Sequence, residues 1–255
     1  MNSNNLLISQ SLTMSQIASA AYDRNCRSTL SNYGFDSNYQ SITDKHTYVH
    51  LACNSNEIVI AFKGTNNQHV TDWLADADLW PHTHGSSWVH RGFKRRGELL
   101  LPRVLDYILQ HPNKQIYITG HSLGGAIGLY IAGELEQHEV GNITLYSFGC
   151  PRVGNKKYVD LIKSTHHRFV NCTDFVPNIP LSILGYRHHG TLHYLNFYGE
   201  LRDLTIWQRI KDQFRARWIA LRNGRIFDSW SDHKIASYIK KLTKLASISK
   251  NQIKH

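Results

Sequence analysis

The hexapeptide GHSLGG, residues 120–125, constrains this chain more than any other stretch. Before it, Gln115 to Thr119 alternate apolar and polar residues and are rich in β-branched side chains, which predicts a strand. From Ala126 onward Ile127, Tyr130, Ile131 and Leu135 recur at helical spacing, which predicts a helix. Only a very short turn is left between the two. Such a turn forces Ser122 into strained backbone and stands its hydroxyl at the end of the sheet. Gly120 and Gly124 remove the side chains that would clash there. A serine at the apex of a strand–turn–helix corner is mounted as a nucleophile.

The remaining pattern is one of alternation. Met14, Ile17, Ala18, Ala21 and Tyr22 share one face of an early helix. TYVHLAC and EIVIAF predict paired strands with Asn54 to Asn56 as the turn. Residues 94–110 predict a helix kinked or restarted at Pro102. The strand ITLYSF, a helix over Lys156 to Lys163, and the strands HRFVN and LHYLNFY follow. Strands alternating with helices imply a mostly parallel central sheet flanked by helices on both faces. A chain of 255 residues, 41% apolar, can bury one sizeable core, so a single α/β domain over 1–255 is expected.

A serine hydroxyl needs an adjacent base, and that base needs an orienting acid. On a fold of this kind the order along the chain is serine, acid, histidine. Asp174, directly after the strand ending near Cys172, is the better acid; its competitor Asp160 falls within a helical pattern. Among 16 histidines, His188, His189 and His193 lie in or beside a strand. His233 reads as lying in a loop just before a helix with Ile235, Tyr238, Ile239, Leu242 and Leu245 on one face, a mounting that suits a base. The oxyanion of a tetrahedral intermediate needs preset donors. The N–H of Leu123 supplies one, and Thr65, after the strand ending at Phe62 and the turn at Gly64, offers a second.

Charge is concentrated late in the chain. Residues 209–255 hold twelve Lys/Arg against three Asp, so nearly all of the net +10 resides there. Within 203–222, Trp207, Ile210, Phe214, Trp218 and Leu221 are spaced by three and four against Arg209, Lys211, Arg215, Arg217 and Arg222. This predicts a basic amphipathic helical insertion. It either packs its apolar side on the sheet or lies on an anionic membrane surface. No nucleic-acid motif is present, so no nucleic-acid partner is expected. His82, His84 and the pairs His166–His167 and His188–His189 lack accompanying carboxylate or cysteine spacing, so neither metal nor cofactor is expected. Cys26, Cys53, Cys150 and Cys172 predict buried, reduced thiols. No segment reads as a signal peptide or membrane span, which predicts a cytoplasmic chain, with signal-independent export as the alternative.

The ordered set AFKGT, DWLADAD, VHRGF, ITGHSLGGA, SFGCPRVGN, TDFVPNIP, HHG and a late DH resembles the class 3 lipases, a family of α/β-hydrolases. The likeness runs from about Thr13 to Leu245. It implies an α/β-hydrolase fold and a carboxylic-ester hydrolase acting on acyl glycerides or phospholipids, with Ser122 as nucleophile, Asp174 as acid and His233 as base. It also implies Thr65 and Leu123 at the oxyanion hole, and a lid over 66–80 whose apolar side is Val70, Trp73, Leu74 and Trp80. Lys63 stands where many relatives have arginine. Esterase action on small aromatic or short-chain esters, and a non-catalytic interaction role, are the alternatives.

Overall fold

A computed structural model describes residues 3–44, 47–64, 81–84, 86–222 and 229–252. Its main sheet has seven strands. In sheet order these are β1 (Ser37–Asp44), β2 (Thr47–Cys53), β3 (Glu57–Phe62), β6 (Gln115–His121), β7 (Ile143–Phe148), β9 (Thr165–Asn171) and β11 (Thr191–Leu195). The β1–β2 and β2–β3 pairs are antiparallel, and every later pair is parallel. A second, four-stranded antiparallel sheet holds β4 (Pro81–His84), β5 (Ser87–His90), β8 (Gly154–Asn155) and β10 (Tyr186–Arg187).

Side chains of a strand alternate between its two faces, so a strand covered on both sides reads as a continuous apolar run. EIVIAF is such a run. Ile58, Ile60 and Phe62 point into a core shared with α3 (Arg91–Leu109) and α4 (Leu123–Gln137), where Phe93, Leu100, Val104, Ile127 and Ile131 are buried. Val59 and Ala61 point the other way, into a core with α1 (Ser3–Ala20), α2 (Arg27–Asn32) and α8 (Ile235–Gln252), which contribute Met14, Ile17, Leu30, Tyr238 and Leu242. Each fully buried aliphatic or aromatic side chain contributes about 1.5–3 kcal/mol. The α/β architecture with a mostly parallel sheet is the one expected from the alternation of elements.

Three local readings change. The helix α3 runs without interruption through Pro102. One lost backbone hydrogen bond there is offset by burial of Phe93, Gly97 and Leu100 before it and Val104, Tyr107 and Ile108 after it. The helix α5 (Lys156–Leu161) is shorter than its sequence pattern.

The third change concerns α6 (Ile206–Arg222), which is turned inside out relative to its apolar pattern. Trp207, Phe214 and Trp218 are 75%, 66% and 64% exposed, whereas Asp212 and Ala216 are buried and Arg209 faces partly inward. Asp212 sets that rotation. Its Oδ2 accepts from the Tyr194 hydroxyl at 3.2 Å and from the Phe197 N–H at 3.0 Å. The four cysteines are buried free thiols. Among the described residues no helix is long and apolar enough to cross a membrane.

Candidate active site

A single residue, Ser122, separates β6 from α4, and its backbone sits at φ 56°, ψ −127°. A non-glycine residue held there costs on the order of 1–3 kcal/mol and persists only because both flanking elements are fixed. The corner closes tightly. A Cβ at Gly120 would stand 2.5 Å from the carbonyl carbon of Gly124, and one at Gly124 would stand 2.3 Å from the Phe62 oxygen. The end of β3 is thereby pressed against the first turn of α4. Leu123 opens that turn, and its N–H is among those that a helix leaves without an intrahelical acceptor.

The Ser122 Oγ lies 2.9 Å from Nε2 of His233, and Nδ1 of His233 lies 3.0 Å from both carboxylate oxygens of Asp174. All three residues are buried. With the carboxylate opposite Nδ1, that nitrogen carries the proton and Nε2 accepts from the serine hydroxyl. Asp174 also accepts from the Val176 N–H at 2.9 Å and the Tyr238 hydroxyl at 2.5 Å. Donors from three directions thus compensate for burying its charge.

Two further groups hold the base. His121, the residue before the nucleophile, is 1% exposed and donates from Nε2 to the His233 carbonyl at 2.6 Å; its Nδ1 accepts from the Tyr22 hydroxyl at 2.7 Å. Burial, followed by the neighbouring His233, holds its imidazole well below the ordinary histidine value. The helical turn α7 (Ser229–His233), which ends on the base, is tied to the end of β9. Asn171 Nδ2 donates to the Asp232 carbonyl at 2.8 Å, and the Thr173 hydroxyl donates to the Asp232 carboxylate. Gly149 stands at φ +63°, and a Cβ there would sit 2.7 Å from Asp174 Oδ2.

Sequence reasoning identified none of Tyr238, His121 or Gly149 as part of this site. Tyr238 reads as one more core residue on a helix face. His121 and Gly149 lie inside motifs, GHSLGG and SFGCPRVGN, whose other members drew the attention. Helix spacing alone gives no sign that the Tyr238 hydroxyl reaches a carboxylate. His233 itself ends a helical turn rather than lying in a loop. Thr65 and the lid segment 66–80, with Val70, Trp73, Leu74 and Trp80, lie outside the described residues.

A second Ser–His contact has a different character. Ser147 Oγ meets His166 Nε2 at 2.7 Å, but His166 Nδ1 faces His189 Nδ1 at 3.3 Å, and His189 Nε2 reaches the Ile162 carbonyl at 3.2 Å. Protons arranged from serine to carbonyl satisfy every atom of this chain with both imidazoles neutral. Among the described residues no carboxylate is hydrogen-bonded to either imidazole, so the chain braces β7 against β9 and lacks the bonded third member of a nucleophilic triad. His167 and His193 likewise face each other, at 3.0 Å. Among the described residues no three His, Cys, Asp or Glu side chains gather as a metal-ligand set.

Residues 59–183 match the family model described as Lipase (class 3). A lipase of Rhizomucor miehei is 34% identical over 168 residues, which are 60% of this chain and 46% of that protein. A secreted mono- and diacylglycerol lipase A of Penicillium cyclopium is 30% identical over 165 residues, 60% of this chain and 53% of that one. The chain thus spans about half the length of the curated relatives it matches. The solved lipase structure from Rhizopus microsporus var. chinensis superimposes with a TM-score of 0.66 at 25% identity, covering 74% of this chain and 75% of that one. The strained serine corner and this shared sequence and architecture lead to one conclusion: residues 59–183 of the chain match the class 3 lipase family and lie on the fold of its solved members.

Proposed function

We propose that this protein is a serine carboxylic-ester hydrolase acting on lipid esters, acyl glycerides or phospholipids. The observation that carries the reading is the continuous hydrogen-bonded chain from Ser122 Oγ through His233 to Asp174. His233 Nε2 takes the hydroxyl proton as Oγ bonds to the ester carbonyl carbon. The carbonyl electron pair moves onto oxygen, where the Leu123 N–H receives it, with Thr65 as the second donor implied by the family likeness. Collapse of this intermediate breaks the bond to the leaving alcohol, which departs with the proton from His233, and an acyl-serine remains. Water then gives its proton to His233 and its oxygen to the acyl carbon, and the proton returns to Ser122 as the acid leaves.

Lipid rather than small esters is favoured by α6. Three large aromatic side chains stand in solvent beside exposed Lys211, Arg215, Arg217 and Arg222, the composition of a surface that rests on an anionic membrane. Ser122 and His233 have no solvent exposure, so an ester reaches Oγ only after a covering element moves. The test is a graded ester series, from acetyl through long-chain esters to phospholipid vesicles, run beside a fluorophosphonate probe of the serine. Labelling that is lost in Ser122→Ala, with turnover rising toward dispersed long-chain substrate, supports the reading. A folded wild-type protein that takes no label would favour an interaction role on this scaffold.

A further inference from the structure

Behind Asp174 lies a cavity of about 380 Å³ between α6, the ends of β9 and β11, and the loop that follows Asp174. Its wall carries Arg152, Arg168 and Arg209. Arg168 on β9 is 8% exposed, and neither it nor Arg209 on α6 makes a side-chain hydrogen bond among the described residues. Their Nε atoms are buried without an acceptor. Arg152 spends Nη1 on the carbonyls of Asn178 and Pro180.

A guanidinium cannot shed its proton to escape burial, so a buried one without an acceptor is a standing cost. The carboxylate on this wall, Asp174, already serves His233, Val176 and Tyr238. His188 adds no negative charge; its Nε2 donates to the Pro177 carbonyl at 2.8 Å. Burial, with Arg152 and Arg209 adding to it, brings the Arg168 guanidinium down to about 10. Asp212, buried behind the lining residue Tyr194, has its Oδ2 committed to the Tyr194 hydroxyl and the Phe197 N–H, so among the described residues neither carboxylate supplies an acceptor to the Nε of Arg168 or Arg209. The lining also includes exposed Ser182 and Ile206, so the space opens to the surface beside the aromatic face of α6.

We infer that this cavity is a binding site for a phosphate group, held by Arg168 and Arg209 with Arg152 behind them. A tetrahedral oxyanion presents several separate acceptor oxygens that match forked donors from more than one guanidinium, a geometry that a single-atom halide does not offer. Its source is either a phospholipid headgroup, presented where α6 meets a membrane, or free phosphate. The site does not depend on the hydrolase reading, because it binds rather than reacts.

The experiment uses the full chain carrying Ser122→Ala, so that no substrate is turned over. Inorganic phosphate, glycerol phosphate, phosphatidylglycerol vesicles and phosphatidylcholine vesicles are titrated at matched ionic strength, with chloride as the reference. Phosphate is expected to bind and to raise the melting temperature where chloride does not. Arg209→Gln, on a surface helix, is expected to weaken phosphate binding about tenfold or more, and Arg168→Gln likewise where it folds. Lys211→Gln, on the outer face of the same helix, removes equal charge and should leave soluble phosphate binding unchanged.

Competition between glycerol phosphate and vesicles of either lipid points to the headgroup as source; binding of inorganic phosphate alone points to the free ion. Phosphate binding no better than chloride, or equal weakening by Lys211→Gln and Arg209→Gln, overturns the inference.

Discussion

Acid should loosen this fold through its buried imidazoles before it touches the carboxylates. His121 and His166 are 1% and 3% exposed, and burial holds both well below the ordinary value of 6.5. For His166 the nearby His189 and Arg168 add to the effect. As the pH falls below 6.5 the unfolded chain takes up a proton at each of these positions and the folded chain does not. The stability they contribute is therefore fully present above 6.5 and is lost as pH drops. For a group that stays neutral when folded, the unfolded state gains about 2 kcal/mol by pH 5. His188 is likewise held well below its ordinary value and His193 is brought down to about 4, so several buried imidazoles act in the same direction on a domain stable by roughly 5–15 kcal/mol. Urea unfolding followed by fluorescence between about pH 7.5 and 5 reads this directly, as a falling midpoint at constant slope. Replacing Ser147 and His166 together, by Ala and Leu, should remove one such contribution and flatten the pH dependence in part while leaving the neutral-pH fold. A midpoint that stays flat to pH 5 in the parent chain would refute the reasoning.

Tyr238→Phe removes one donor to Asp174 and leaves the Asn171 N–H, 3.2 Å from the lost oxygen, without its acceptor. Turnover should fall about tenfold with KM unchanged, alongside a loss of about 1–3 kcal/mol in unfolding free energy. Gly149→Ala forces a side chain toward Asp174 at a positive φ; activity and melting temperature should drop together, and unchanged values of both would contradict the packing described. Replacing Trp207, Phe214 and Trp218 by Ser should abolish binding to phosphatidylglycerol vesicles while leaving hydrolysis of a soluble short-chain ester intact. Vesicle sedimentation and an ester assay decide it.

Local pattern carried much of the architecture. EIVIAF reads as a strand because it is buried on both faces, QIYIT because its side chains alternate, with Gln115 and Tyr117 on the half-buried side, and GHSLGG marks the corner because a strand cannot become a helix in one residue without small neighbours. Chain order and loop position brought Asp174 and His233 forward as candidates beside Ser122. What pattern could not supply was anything set by a contact between distant residues. The rotation of α6 is held by bonds from Tyr194 and Phe197 to Asp212, so spacing alone could not choose between an apolar side packed on the sheet and one turned outward. Continuity of α3 through Pro102 depends on packing either side of a defect that local rules treat as a stop. The brace from Tyr238 to Asp174 joins residues 64 positions apart, and only the fold makes them neighbours.

The moorings of α7 separate two motions that a buried site without them would combine. His233 is fastened to the strands, through its own carbonyl to the residue beside Ser122 and through Asp232 to the end of β9. Movement of a neighbouring element can therefore leave Ser122, His233 and Asp174 standing in register. Surrounding loops can then be lengthened, shortened or replaced while the proton path stays as it is.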